Sequence, residues 1–267
     1  MKESEGKGQF AWQPLTVRGV AAFATAPLGR LLLVQVFVAL VTAGTVVWFV
    51  HRAWFPTIGE AIRGLPATGE IRSGRLDWPG LPAVRLAEER FLAFDVDLDH
   101  TGAVRSPAQV EVEFGRGDFK VYSLFGCLRS AYPQSRAVAF NRTELGPWWG
   151  AWAPPILAIL AVLVVAALIP AWACLATVYC LPVWLIGFFA DRECSMGGSW
   201  RLSGAALMPG AFLMCAAILM YGLGAFDLVR LTLAGAVHFI VGWIYLVVSP
   251  LSLPRHQAKP AKVNPFA

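Results

Sequence analysis

The sequence predicts an α-helical polytopic membrane protein, with about five transmembrane helices and a small α+β extramembrane domain inserted between the first and second spans. Hydrophobic residues make up 57% of the 267 positions and charged residues only 15%, against roughly 25% charged in soluble domains. The charges are also segregated. Long uncharged apolar runs flank one dense charged block between Arg52 and Glu144, whereas a soluble fold scatters charge over its whole surface. Tryptophans mark both ends of that block, Trp48 and Trp54 where the first span closes and Trp148, Trp149 and Trp152 where the second opens, as at a membrane–water boundary. The block therefore leaves the membrane and returns to the same face.

Residues 1–30 form an N-terminal tail in which Leu15 to Leu28 is moderately apolar but broken by Arg18 and Pro27. That pattern predicts an interfacial helix lying on the membrane surface. The first span falls within 31–54: Leu31 to Val50 supplies the about 20 apolar residues a crossing needs, interrupted only by Gln35, Thr42 and Thr45. It starts too deep in the chain for a cleavable signal peptide, and no small-x-small cleavage site follows. Residues 147–250 form the remaining bundle. The apolar run from Trp148 to Ala190 is far too long for one crossing at about 1.5 Å per residue, so two helices are expected, broken at Pro170. They are placed at Ala153–Ile169 and Ala171–Ala190. A polar stretch from Asp191 to Ser203 precedes a fourth span, Gly204–Tyr221, with Pro209 in its first turns. The fifth runs from Leu228 to Val248 and ends at Pro250, before a basic tail over 251–267.

The water-facing domain, residues 55–146, opens with helical spacing of Phe55, Ile58, Ala61, Ile62 and Leu65, stopped by Pro66. The period then changes to two. Glu70–Trp78 reads as a strand, and Phe91–Asp99 alternates Phe94, Val96 and Leu98 with Asp95, Asp97 and Asp99. Val110, Val112 and Phe114 alternate with Glu111 and Glu113, and Gly115–Asp118 turns into a further strand, Phe119–Phe125, as a hairpin. A helix and about four antiparallel strands follow, with one apolar face and one solvated charged face.

The order of these parts carries a resemblance. An N-terminal interfacial segment and one span lead into Ile58-Gly59-Glu60-Ala61-Ile62-Arg63-Gly64-Leu65-Pro66, then Glu70-Ile71-Arg72-Ser73-Gly74-Arg75-Leu76 and Asp97-Leu98-Asp99-His100-Thr101-Gly102, and then further spans. Over roughly residues 15 to 250 the chain resembles the bacterial domain-of-unknown-function 1189 family, the maltodextrin-utilisation-type membrane proteins. The resemblance implies a cytoplasmic N-terminus and an extracytoplasmic domain, and supplies no active site.

Several constellations invite a chemical reading. Asp95, Asp97 and Asp99 with His100 look like the opening of a calcium loop, but the sixth position is His100 instead of glycine. On an extended strand, same-face carboxylates stand about 6.5–7 Å apart and share no ion. Arg116-Gly117-Asp118 reads as a hairpin turn, and Asn141-Arg142-Thr143 as a formal glycosylation sequon. On the fifth span Asp227, Arg230, Ala234, His238, Val241 and Tyr245 fall on one helical stripe. An ionisable group such as His238 at mid-depth is a functional candidate by default, set against the simpler reading that the stripe faces the bundle interior. Ala206 and Gly210 make a small-xxx-small pair on the fourth span. Cys174, Cys180 and Cys215 lie in apolar runs as core thiols. Cys127 and Cys194 lie outside them and form a possible disulfide if both emerge on an oxidising side.

There is no nucleophile elbow, phosphate-cradling glycine loop or paired Cys/His metal motif, and the four histidines (His51, His100, His238, His256) fall in different regions. No catalytic residue, metal or cofactor is expected. The expected partners are the lipid bilayer and other membrane proteins or further copies of the chain, with no nucleic acid. The expectation is a non-enzymatic protein of the bacterial inner membrane whose extracytoplasmic domain senses or binds a partner and whose bundle anchors or assembles with other membrane proteins. The alternative is a transport component with a polar path along Asp227, Arg230 and His238; an intramembrane or lipid-processing enzyme is a third class. Lys2, Lys7, Arg18 and Arg30 place the N-terminus in the cytoplasm. Five spans then put Arg192, Arg201, Arg255, Lys259 and Lys262 outside, in conflict with the positive-inside rule.

Overall fold

The computed structural model describes residues 13–255; Lys2, Lys7, His256, Lys259 and Lys262 lie outside the described residues. The chain forms two compact units, a strand-containing one from Val47 to Leu160 and a helical one from the chain on either side of it. The domain thus extends beyond the expected 55–146, because the last turns of one helix and the first turns of another belong to it.

Four helical segments among the described residues are long and apolar enough to cross a membrane: Leu28–Gly64, Arg142–Phe189, Met196–Gly222 and Leu228–Leu251. The first comprises α2 (Leu28–Ala53) and α3 (Phe55–Gly64), the second is α4 (Arg142–Phe189), the third is α5 (Met196–Ala206) with α6 (Met208–Gly222), and the fourth is α7 (Leu228–Leu251). The expected fifth helix is absent because α4 runs unbroken through Pro170. A proline inside a helix forfeits one backbone hydrogen bond. An uncharged turn at that point would instead leave several polar backbone groups without partners, which an apolar surrounding makes costly. The length that suggested two helices has another origin: residues 142–160 of α4 belong to the strand-containing unit, and the remaining 161–189 is roughly 44 Å long at about 1.5 Å per residue.

In the helical unit the N-terminal segment packs one face against the bundle and leaves Leu15 and Arg18 exposed. The short helix α1 (Val17–Ala22) is capped by the Thr16 hydroxyl accepting from Gly19 N. Val20 and Phe23 are fully buried in one core with Leu31, Val38, Leu202 and Met208. The third segment also starts earlier than expected, at Met196, with Ser195 as N-cap accepting from Gly198 N. Its glycines explain how it holds the centre of the bundle. A Cβ on Gly198 would lie 2.9 Å from the Ala24 carbonyl oxygen, one on Gly204 3.1 Å from Gln35 Nε2, and one on Gly210 2.7 Å from the His238 carbonyl oxygen. Each glycine therefore admits a different neighbour. The Ala206/Gly210 pair has the close-packing role expected for small residues.

One end of the helical unit gathers the chain segments that carry Arg192, Arg201 and Arg255. Arg192 pairs with Arg255 in an antiparallel bridge and donates through Nη1 to Leu253 O at 2.7 Å. Glu193 N donates to Pro254 O at 2.9 Å, Arg201 Nη2 to Ala24 O at 2.7 Å, and the Tyr245 hydroxyl to Leu15 O at 2.5 Å.

The strand-containing unit has two sheets. β1 (Glu70–Arg72) and β2 (Arg75–Asp77) form a hairpin where one long strand was expected, because Ser73 and Gly74 both adopt positive φ (50° and 74°), as a two-residue hairpin turn requires. With β8 (Val138–Ala139) they make the sheet β2-β1-β8. The second sheet has the order β3-β4-β5-β6-β7, from β3 (Ala83–Glu88), β4 (Leu92–Asp97), β5 (Val110–Phe114), β6 (Asp118–Ser123) and β7 (Gly126–Ala131). It is not wholly antiparallel: β4 and β5 are parallel, Leu92 opposite Val110 and Val96 opposite Phe114. A parallel pair needs a crossover connection, here the irregular segment 98–109. The apolar face packs Val96 and Leu98 with Leu65, Ile71, Leu76, Tyr132 and Phe140 in one core.

Candidate functional site

The charged face of the five-stranded sheet is not solvated. Alternation puts Asp95 and Asp97 of β4, Glu111 and Glu113 of β5 and Asp118 of β6 on or beside one surface. All five are buried, Asp95 completely. Burying charge without a partner is prohibitive, so each carboxylate has a built neighbourhood. Arg85 on β3 stands opposite Asp95; its Nε donates to Asp95 Oδ1 at 3.0 Å, its Nη1 to Glu88 Oε2 at 2.5 Å and its Nη2 to Val104 O at 2.5 Å. The last bond clamps the crossover over the sheet. Asp97 Oδ2 accepts from Gly102 N at 2.7 Å and the Thr101 hydroxyl at 2.9 Å. Glu111 Oε2 accepts from Ser106 N at 3.3 Å.

His100 closes the other end. It has a positive φ of 54°. Nδ1 meets Glu113 Oε1, and Nε2 lies 2.7 Å from Asp118 Oδ1. The opposite oxygen of Asp118 accepts from Arg129 Nε. A carboxylate oxygen thus faces each ring nitrogen. Gly115 makes the approach possible, since a Cβ there would lie 2.3 Å from His100 Nε2. Lys120 Nζ adds charge 3.9 Å from Glu113, and the Arg105 guanidinium stacks 3.8 Å above the Tyr122 ring.

The electrostatics divide the cluster. Burial pushes the Asp95 carboxyl up to about 6, against the opposing pull of Arg85 and with help from Glu111 and Glu88. Burial acts in the same direction on Asp97 and Asp118, but it is outweighed. Bonds from Thr101, Gly102 and Asp99 hold Asp97 below its ordinary range, and His100 and Arg129 do the same for Asp118. Asp95 Oδ2 and Glu111 Oε1 are buried without a hydrogen-bond partner. Asp95 is thus raised while Asp97 and Asp118 are lowered.

The three aspartates of the expected calcium-like run do not converge: Asp95 turns to Arg85, Asp97 to Thr101 and Gly102, and Asp99 to Arg116 at 3.3 Å. Asp118 of the Arg116-Gly117-Asp118 turn is occupied by His100 and Arg129. Asn141 of the sequon is buried; it caps α4 by accepting from Glu144 N at 3.0 Å and donates to Gly69 O at 3.1 Å.

In the helical unit, Asp227 caps α7 by accepting from Arg230 N at 2.7 Å. Arg230 Nε lies 3.8 Å from its carboxylate, and Nη1 donates to Ala225 O. His238 is half-buried, and its Nδ1 is 2.5 Å from Gly235 O. A carbonyl only accepts, so Nδ1 donates in this contact. His238 borders a cavity of about 160 Å³ lined also by Thr42, Trp172, Tyr179, Met214 and Trp243. Tyr245 at the far end of the stripe binds the N-terminal segment instead. The stripe members therefore act at three separate places.

All five cysteines are free thiols. Cys127 is exposed on β7, while Cys194 Sγ lies 3.0 Å from Ser199 Oγ. The two-helix arrangement on which their pairing rested is replaced by the single α4. Sequence reasoning missed Arg85, Lys120 and Arg129 as partners of the acidic face. Their signal was present in part: Lys120 faces Glu113 across β5 and β6, and Arg129 faces Lys120 across β6 and β7.

No family model, no curated protein and no solved structure matches this chain. The likeness to the domain-of-unknown-function 1189 family rests on its sequence motifs alone.

Proposed function

We propose that the chain is a multi-pass protein of a bacterial inner membrane, whose α+β domain binds or senses a partner on the extracytoplasmic side and whose bundle anchors it or assembles with other membrane proteins. The observation that carries this reading is the count of four membrane-length helices. An even number returns the chain to its starting side. Lys2, Lys7, Arg18 and Arg30, then Arg192 and Arg201, then Arg255, Lys259 and Lys262 all fall on that side. The positive-inside rule makes it the cytoplasm, and the conflict created by five spans disappears. Support for lipid around the bundle comes from the apolar side chains that α2, α4 and α7 leave exposed, including Phe37, Leu40, Val162, Val178, Leu233 and Trp243, far more than an isolated soluble surface carries.

Reporter fusions test the topology: alkaline phosphatase after Glu88 is expected to be active in intact cells and a fluorescent protein at the C-terminus to fold. The reverse pair of results would overturn it. For the binding role, mild-detergent purification followed by mass spectrometry is expected to recover a stoichiometric protein partner. The cavity lined by His238 favours a second reading as a transport component. A chain that purifies alone, with a solute or proton flux abolished by His238→Ala at unchanged protein level, would replace the first reading with the second.

A further inference from the structure

We propose that the tip of the β6–β7 hairpin, Leu124 and Phe125, dips into the outer surface of the lipid bilayer and moors the domain there; this rests on the membrane reading above. Leu124 is 67% exposed and Phe125 98% exposed, an arrangement that water disfavours and lipid does not. The tip is built to project. The Phe125 N–H bonds the Ser123 hydroxyl at 3.3 Å, and Gly126 closes the turn at a φ of 112°. Leu128, behind it on β7, is also exposed and lies opposite Val121, on the apolar face of the sheet.

The register says which way this tip points. Phe91, just before β4, packs its ring edge-on against Phe49 at 5.4 Å, and Phe49 lies in the last turns of α2, at the end of the first apolar span. Leu92 pairs with Val110 across β4 and β5, Glu111 with Tyr122 across β5 and β6, and Ser123 with Gly126 across β6 and β7. Val110 therefore stands level with Ser123, and the next residues, Leu124 and Phe125, stand level with Phe91. They sit two to three strand spacings to the side, roughly 10–14 Å at about 4.8 Å per strand. The tip thus lies at the same end of the sheet as Phe91, the residue that packs on Phe49. The opposite end of the sheet carries Asp99, Arg116 and Asp118, while the end with the tip holds Phe91, Leu124 and Phe125 beside the exposed Glu88, Glu89 and Arg90. Tryptophan is favoured at membrane–water boundaries, and Trp148 and Trp152 of α4 are exposed and stacked on one another at 6.3 Å.

Nitroxide labels at Phe125→Cys, Leu40→Cys and Arg116→Cys, each in the full chain with its five native cysteines replaced, would be compared in nanodiscs of phosphatidylethanolamine and phosphatidylglycerol. Accessibility to oxygen and to a water-soluble nickel chelate gives the readout. The label at 125 is expected to be richer in oxygen contact and poorer in nickel contact than that at 116, while lying shallower than that at 40. A nickel-accessible label at 125, with 40 still in lipid, would overturn the mooring and leave the membrane reading intact. A label at 125 shielded from both reagents would mean contact with protein and would overturn it equally. Nickel access at 40 would overturn the membrane reading and the mooring together.

Discussion

Asp95→Asn is expected to stabilise the α+β domain at neutral pH and to remove part of its pH dependence. Asp95 is fully buried, with one oxygen on Arg85 Nε and the other without a partner. Its carboxyl is pushed from 3.8 up to about 6, so the folded domain holds this proton more tightly than the unfolded chain does. The sign follows: as pH rises from about 4 the unfolded chain ionises Asp95 first, and stability falls until the folded carboxyl ionises near 6, then levels off. About two pKa units at about 1.4 kcal/mol each give an upper bound of ~3 kcal/mol. Asparagine forfeits the charge on the Arg85 bond but also the cost of keeping a carboxylate there, so a gain of ~1–3 kcal/mol at pH 7.5 and almost none at pH 4 is expected. Hydrogen–deuterium exchange of the full chain in nanodiscs, corrected for the intrinsic pH dependence of exchange, reads opening free energies for β4 and β5 at several pH values. Wild-type protein should open more readily above pH 6 than near pH 4, and the variant should lack that component. A variant less stable than wild type at pH 7.5, or an identical pH dependence in both proteins, would refute the reasoning.

Gly210→Leu is expected to lower the thermal midpoint in detergent, because a Cβ there lies 2.7 Å from the His238 backbone oxygen, and overpacking costs about 1–3 kcal/mol or more. Gly44→Ala, with open space at its Cβ, should leave the same midpoint unchanged or raise it. Asn141→Ala removes the α4 cap and the tie to Gly69, and a loss of ~1–2 kcal/mol is expected in chemical unfolding of the domain; an unchanged midpoint would show the cap to be dispensable. In intact cells with a permeable outer envelope, a membrane-impermeant maleimide should label Cys127 and spare Cys194. Equal labelling, or a reductant-sensitive link between them, would contradict four crossings.

Local periodicity made several elements legible in the sequence. The 3.6-residue spacing from Phe55 to Leu65 marks α3, the strict alternation from Phe91 to Asp99 marks β4, and Gly115–Asp118 marks the turn between β5 and β6. The apolar runs located α2 and α7, since a residue's place on a helix face or strand face follows from its neighbours in the chain. What the sequence could not settle depends on groups brought together from afar. Asp97 and Glu113 read as a solvated face because nothing local announces that the 98–109 crossover folds back and brings Thr101 and Gly102 onto Asp97 and His100 onto Glu113. The parallel pairing of β4 with β5 is likewise a choice between partners, invisible in either strand. Pro170 is ambiguous by itself, for the same residue ends a helix where water or side chains can take the freed backbone groups and is tolerated where they cannot. Tertiary structure decided these points because burial and pairing are properties of contacts, and a single strand or helix carries only the face it offers.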